Sequence, residues 1–96
     1  MTEYEEPHMY VFINQRKNGT IEKDCDRIID DLPENEKYTL VLVREKRLDK
    51  FDKADIEAAG EVPKTYPFAL TDDGRIITDY DEILKAAHRK KRKKKG

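Results

Sequence analysis

The apolar positions of the chain fall into short blocks whose spacing predicts the elements. Runs of apolar and β-branched residues predict strands at Met9–Ile13 and Tyr38–Val43. The second run is apolar on both faces, so we expect it to be a central strand covered by helices on each side. Two further runs, Phe68–Thr71 and Arg75–Thr78, flank Asp72-Asp73-Gly74. An Asp-Gly pair between such runs predicts a β-hairpin.

Three other segments repeat apolar residues at the helical period. In the best-defined helix the apolar positions share one face, at Ile21, Cys25, Ile28, Ile29 and Leu32. We expect Thr20 to be its N-cap and Pro33 to close it. A second, less regular apolar stripe predicts a helix over Leu48–Gly60, with Gly60 as its stop. Asp79 and Glu82 have the spacing of a capping box and predict the start of a third helix.

The order β-α-β-α-β-β-α predicts an α/β fold, a four-stranded mixed sheet between helices on both faces. The 96 residues fit one domain. We expect a flexible acidic N-terminal lead over residues 1–8, the domain over residues 9–87 and a basic tail over residues 88–96. No signal peptide or membrane span is expected, because the lead is acidic and the longest apolar stretch is far too short.

Charge is distributed unevenly between the body and the tail. The chain is 43% charged and only 36% hydrophobic, with a net charge of −1. The tail alone has seven consecutive cations, which leaves 13 basic against 21 acidic side chains, a net charge of −8, in residues 1–88. These cations are Arg89, Lys90, Lys91, Arg92, Lys93, Lys94 and Lys95.

Four roles compete for the basic tail. It has the charge to bind nucleic acid, an acidic protein partner or a nuclear import receptor, or simply to balance the acidic body. No aromatic residue interrupts the cations, so the tail offers no platform for base stacking. Binding to nucleic acid would therefore depend on phosphate contacts and weaken with salt.

The second half of the chain contains the segments Thr65-Tyr66-Pro67, Phe68–Leu70, the turn at Gly74, Ile76-Ile77 and Asp81-Glu82. In these segments it resembles the glutaredoxin branch of the thioredoxin superfamily. With the element order, the resemblance covers about residues 9–87 and implies a three-layer thioredoxin-like fold. It also implies a cis proline at Pro67. Pro63 competes for that role, because Val62-Pro63 is similar to the family's Val-Pro pair.

The chain departs from the family where the redox cysteines belong. Family members place Cys-x-x-Cys or Cys-x-x-Ser after the first strand, where the helix N-terminus lowers the pKa of the thiol. Here that stretch is Lys17-Asn18-Gly19-Thr20, with lysine at the position of the nucleophile. Cys25 lies more than a turn inside the predicted helix, so we expect a small buried side chain. It could react only if the helix began later than Thr20.

The resemblance also implies a groove that grips extended peptides by backbone pairing. Its candidate lining is Lys17, Asn18, Thr20, Tyr66 and Pro67. Tyr66 is the candidate for an exposed contact; the alternative is that it packs against the helix and leaves the groove vestigial. Thr78-Asp79 replaces the family's Gly-Gly, so we expect no glutathione. No cofactor or metal is expected, since His8, His88 and Cys25 are too few and too far apart for a zinc site.

These observations favour a redox-inactive thioredoxin-like binding or adaptor module over an enzyme. We expect a protein partner, with nucleic acid as the alternative through the tail, and no membrane. The composition is also typical of small virus-encoded accessory proteins. The competing hypothesis is a divergent glutaredoxin-like thiol oxidoreductase that uses Cys25. We expect a cytoplasmic protein, or a nuclear one in a eukaryotic cell because of the tail; the sequence leaves the oligomeric state open.

Overall fold

The computed structural model describes residues 8–34 and 38–88. All seven predicted elements are present in the predicted order. They are β1 (Met9–Gln15), α1 (Lys23–Asp31), β2 (Tyr38–Arg44), α2 (Lys50–Ala59), β3 (Phe68–Thr71), β4 (Ile76–Ile77) and α3 (Tyr80–His88). The prediction of an α/β fold with a four-stranded mixed sheet is therefore confirmed.

The strands lie in the order β2-β1-β3-β4, so β1 is central. It pairs parallel with β2 and antiparallel with β3, and β3 pairs antiparallel with β4. The expectation of a central, fully covered β2 is wrong. The hairpin β3–β4 adds to the other side of β1 and leaves β2 at the edge of the sheet, where Leu40 is 39% and Leu42 47% exposed.

Helix α2 covers one face of the sheet. Phe12 lies opposite Phe68 in the register of β1 and β3, and their stacked rings are 4.9 Å apart. Ile56 of α2 is fully buried in the same core. At the end of α2, the position of a Cβ on Gly60 lies 3.4 Å from Cδ1 of Ile76.

Helices α1 and α3 cover the opposite face. Val11 and Ala69 point to this side, because side chains alternate along a strand, and neither is exposed. The two helices contact each other through Tyr80, whose hydroxyl donates to Oδ2 of Asp31 over 2.6 Å. The guanidinium of Arg27 lies 4.9 Å from the centre of the same ring. Sheet and helices thus form three layers.

The N-terminus of α1 differs from the prediction. The helix begins at Lys23 with Glu22 as N-cap, and Thr20 is not its cap. The side chain of Asn18 accepts hydrogen bonds from N (3.0 Å) and Oγ1 (2.7 Å) of Thr20, which holds this stretch in a turn. Ile21 then bridges to Gln15 as extended chain, so the helix cannot start before residue 22.

The hairpin forms at the predicted turn. Thr71 donates its N–H to the carbonyl of Arg75 over 2.9 Å, and Gly74 has a φ of 87°. Glycine fits this left-handed position because it has no Cβ to clash. On the N-terminal side of β3, the peptide bond between Tyr66 and Pro67 is cis, so Pro67 and not Pro63 is the cis proline.

Candidate functional site

The carboxyl end of the central strand β1 carries a buried polar residue, Asn14, which is 2% exposed. Its Nδ2 donates to Oε2 of Glu22 over 2.7 Å, and its Oδ1 accepts from the backbone N–H of Lys46 over 2.7 Å. Its carbonyl accepts from the N–H of Glu22 over 3.2 Å. Asn14 therefore joins the start of α1 to the turn that follows β2, in which Glu45 and Lys46 have positive φ angles.

Cys25 is the third residue of α1 and lies next to Asn14. It is fully buried, and its Sγ accepts the backbone N–H of Asn14 over 3.3 Å. Burial raises the pKa of the Cys25 thiol above its usual range, and the carboxylates of Glu22 and Asp24 raise it further. The hydrogen bond from Asn14 and the charge of Arg16 act in the opposite direction without reversing the shift. The thiol is thus held protonated and away from solvent.

The loop between β1 and α1 forms the exposed side of the site. Lys17, Asn18 and Thr20 are all exposed. The loop has a fixed shape, because the N–H of Arg16 donates to the carbonyl of Thr20 over 2.7 Å and Nε2 of Gln15 donates to the carbonyl of Gly19 over 2.8 Å. This loop presents two cations, Arg16 and Lys17, together with polar groups and no thiol.

Tyr66 and Pro67 form a buried part of the site. Tyr66 is only 7% exposed, which contradicts the expectation of an exposed aromatic contact. Its ring packs 5.0 Å from that of Phe68. Burial raises the pKa of Tyr66, and Glu22 and Cys25 add to that shift, so the phenol lies within electrostatic range of the start of α1. The large ring of Tyr66 packs in the core, because it contacts Phe68 and so removes apolar surface from water.

The five candidate groove residues are therefore divided between an exposed loop and a buried wall. Among the residues that the structure describes, no hydrogen bond, ion pair or ring contact joins Lys17, Asn18 or Thr20 to Tyr66 or Pro67. Sequence reasoning missed Asn14, which directly follows the strand predicted over Met9–Ile13. The available signal was a polar residue directly after the apolar run of a central strand, where α/β folds commonly place binding sites.

A depression of about 470 Å³ lies on the other face, between α2 and the sheet. Asp52 and Asp55 of α2 line it together with Tyr10 and Phe12 of β1. Burial raises the pKa of Asp52, and the neighbouring carboxylates Asp49 and Asp55 raise it further. The depression combines aromatic walls with negative charge, which would suit a basic ligand better than an anion.

Some expectations concern features outside the described residues or the site. The basic tail, Arg89 to Lys95, lies outside the described residues. Within residues 8–34 and 38–88, no three His, Cys, Asp or Glu side chains come together to hold a metal ion. No helix in that same part of the chain is long and apolar enough to cross a bilayer.

Comparison of the chain with protein-family models, with curated proteins and with solved structures finds no match.

Proposed function

We propose that the chain is a thioredoxin-like, redox-inactive binding module that engages a protein or nucleic-acid partner. The layer arrangement supports the thioredoxin-like part: β1 is central, α1 and α3 share one face, and α2 covers the other. The resemblance of residues 9–87 implies this same arrangement. The site at the carboxyl end of β1 supports the binding part.

The observation that carries the proposal is the state of Cys25. Thiol–disulfide exchange requires an accessible thiolate. Cys25 is fully buried, its pKa is raised, and the exposed loop beside it holds Lys17 and Asn18 where a nucleophile would be needed. The exposed surface of the site can contact a partner, but it brings no reactive group to it.

One feature favours the competing oxidoreductase hypothesis. Because α1 begins at Lys23, Cys25 lies in its first turn, where backbone N–H groups and the helix dipole favour a thiolate. A helix that began at Thr20, as the sequence predicts, would instead place Cys25 more than a turn inside. Two effects oppose activation: desolvation of the sulfur, and the negative charges of Glu22 and Asp24 beside it. Their net result is a raised pKa, so binding remains the preferred function.

Thiol chemistry distinguishes the two hypotheses. We expect iodoacetamide to alkylate Cys25 at pH 7.5 at least about a hundredfold more slowly in the folded chain than in urea, because the sulfur is buried and protonated. We also expect any exchange with a glutathione mixed disulfide to be unchanged in Cys25→Ser. Rapid alkylation of the folded chain would show an accessible thiolate and remove the argument against the oxidoreductase, and an exchange activity that Cys25→Ser abolishes would establish it.

The loop between β1 and α1 supplies the test for a protein partner. Peptides of twelve residues selected from a displayed library on the folded chain should bind Lys17→Glu and Thr20→Glu at least about tenfold more weakly. Lys53→Glu is the matched control, because Lys53 is also an exposed lysine and lies on α2, away from this loop. Peptide binding that Lys53→Glu weakens as much as Lys17→Glu does would argue against a groove at this loop.

The seven cations of the tail supply the test for nucleic acid. A chain that ends at His88 should lose most of its affinity for a single-stranded oligonucleotide. The full chain should also bind with a steep salt dependence, because each phosphate contact releases counterions. Equal affinities of the two chains would exclude the tail as a nucleic-acid contact and leave the protein partner.

A further inference from the structure

The edge strand β2 has an unusually apolar outer edge. Among the described residues β2 pairs with β1, and only its last residue, Arg44, also bridges to another segment, at Arg47. Its residues Tyr38–Val43 contain no charge. Leu40 and Leu42 are 39% and 47% exposed on the face that α1 and α3 cover elsewhere. Proteins normally protect such an edge with lysine, proline or a bulge, since it can accept another strand. This edge lacks that protection over six residues.

We propose that β2 pairs with β2 of a second copy of this chain. The two strands run antiparallel about a two-fold axis that passes through Val41. The pairing joins two four-stranded sheets into one continuous sheet across the dimer. Because the same surface is used on both copies, the assembly closes at two chains.

The sequence of β2 is complementary to itself in this register. Tyr38, Leu40, Leu42 and Arg44 lie on one face, because their partners in β1 are alternate residues. In an antiparallel pair centred on Val41, Leu40 lies opposite the second copy's Leu42, and the reverse pair forms across the axis. The four leucines of the dimer, two from each chain and partly exposed in the single chain, would then cover one another.

The ends of the strand fit the same register. Tyr38 lies opposite the second copy's Arg44, which brings a guanidinium to an aromatic ring at both ends of the interface. The backbone carbonyl of Arg44 accepts the N–H of Arg47 over 2.9 Å, but its side chain is exposed and forms no ion pair with the other described residues, so the guanidinium is available for this contact. A parallel, in-register pair would instead place the two Arg44 side chains side by side, and like charges opposite each other are destabilising. Charge therefore selects the antiparallel dimer.

The first test is the mass of the full chain in solution. In sedimentation equilibrium between about 10 µM and about 1 mM, the average mass should rise with concentration toward the mass of two chains. Leu42→Glu should raise the dissociation constant at least about tenfold, since it places charge in the apolar centre. Phe51→Glu is the matched control: Phe51 is 70% exposed on α2, and the same substitution there should leave dimerisation unchanged.

Several outcomes would overturn the proposal. A wild-type chain that stays monomeric at 1 mM would overturn it. Residues 1–7 or another partner would then be the candidates for covering the edge. A dimer that Phe51→Glu disrupts and Leu42→Glu does not would move the interface to α2. Circular dichroism confirms that each variant is folded, and if Leu42→Glu unfolds, cross-linking locates the interface instead.

A second test fixes the register by cross-linking. In a Cys25→Ser background, the double variant Leu40→Cys, Leu42→Cys should form disulfide-linked dimers under mild oxidation, because the two introduced thiols face each other across the axis. Leu40→Cys alone should cross-link much less, since position 40 of the second copy lies two positions away along the strand. Equal cross-linking of the single and double variants would contradict the register centred on Val41.

Discussion

The side-chain amide nitrogen of Asn14 donates a 2.7 Å hydrogen bond to the carboxylate of Glu22, and this bond joins the end of the central strand to the N-cap residue of α1. The oxygen of the same amide accepts a hydrogen bond from the backbone N–H of Lys46. A donor on one side and an acceptor on the other are both needed. Only an amide in this orientation satisfies both neighbours.

Asn14→Asp should therefore destabilise the fold in a pH-dependent way. The substitution exchanges the donor for a second carboxylate beside Glu22 and should lower the free energy of unfolding at pH 7 by about 2 kcal/mol or more. Repulsion from Glu22 disfavours the ionised form of the new acid at position 14 in the folded state, so the deficit relative to wild type is absent at low pH and grows as that acid ionises. Urea denaturation at pH 4.5 and pH 7 measures it.

Asn18→Asp is the control for this substitution. Asn18 is exposed and uses only its side-chain oxygen, which accepts from Thr20, and a carboxylate keeps that acceptor. We expect a change of less than about 0.5 kcal/mol. A deficit for Asn14→Asp that is the same at both pH values would show that packing, and not charge beside Glu22, causes the loss.

The buried thiol predicts a second pH effect at the alkaline end. Because burial raises the folded-state pKa of Cys25, its contribution to stability is complete below the unfolded pKa of about 8.5 and is lost as pH rises toward the folded value. Between pH 8 and pH 10, wild type should therefore lose stability relative to Cys25→Ser, by at most about 1.4 kcal/mol per pH unit.

Denaturation of both proteins in urea under reducing conditions measures this difference. Cys25 does not contribute to the raised pKa values of Tyr38 and Tyr80, so the titration of these two tyrosines cancels in the comparison. Tyr66 interacts with Cys25, and that interaction is part of the difference being measured. Parallel stability curves from pH 8 to pH 10 would mean that the folded state does not disfavour the thiolate. That outcome would also weaken the case for a redox-inactive site.

Tyr80 should be the last described tyrosine to ionise. Burial, with the hydrogen bond to Asp31 and its negative charge, raises the pKa of Tyr80 to about 12. In a spectrophotometric titration at 295 nm, Tyr80→Phe should remove the step near that pH. Asp31→Asn should shift the step toward the usual tyrosine value of about 10, because the acceptor loses its charge. Superimposable titrations of wild type and Tyr80→Phe would contradict the assignment.

The sequence predicted the elements well because their periods are local properties. The short run Phe68–Thr71 and the Asp-Gly turn after it identify the hairpin without any knowledge of the rest of the fold. The edge position of β2 was not predictable in that way. A run that is apolar on both faces fits a covered central strand equally well, and only the addition of β3 to the far side of β1 decides between them.

The candidate site was predictable only in part, for a similar reason. The loop at Lys17 and the absence of a cysteine there are visible in the sequence. The start of α1 depends on a competing local structure, the turn that Asn18 forms with Thr20, which outweighs the helical period of Ile21. Asn14 escaped notice because its role depends on three segments that meet only in the folded chain.

Gly74 should be the more sensitive of two glycines that lie near β4. A Cβ at position 74 would contact nothing within 4 Å, but the φ of 87° is one that alanine rarely adopts. Gly74→Ala should therefore cost about 1 kcal/mol through backbone conformation alone. Gly74→Asn should recover part of that loss, because asparagine tolerates the left-handed region.

Gly60→Ala is the comparison: its backbone is extended and its new Cβ would meet Ile76 at an ordinary 3.4 Å, so it should cost less. Thermal and urea unfolding of the three variants provide the ranking, and an equal loss for alanine and asparagine at position 74 would mean that the turn does not require a left-handed residue.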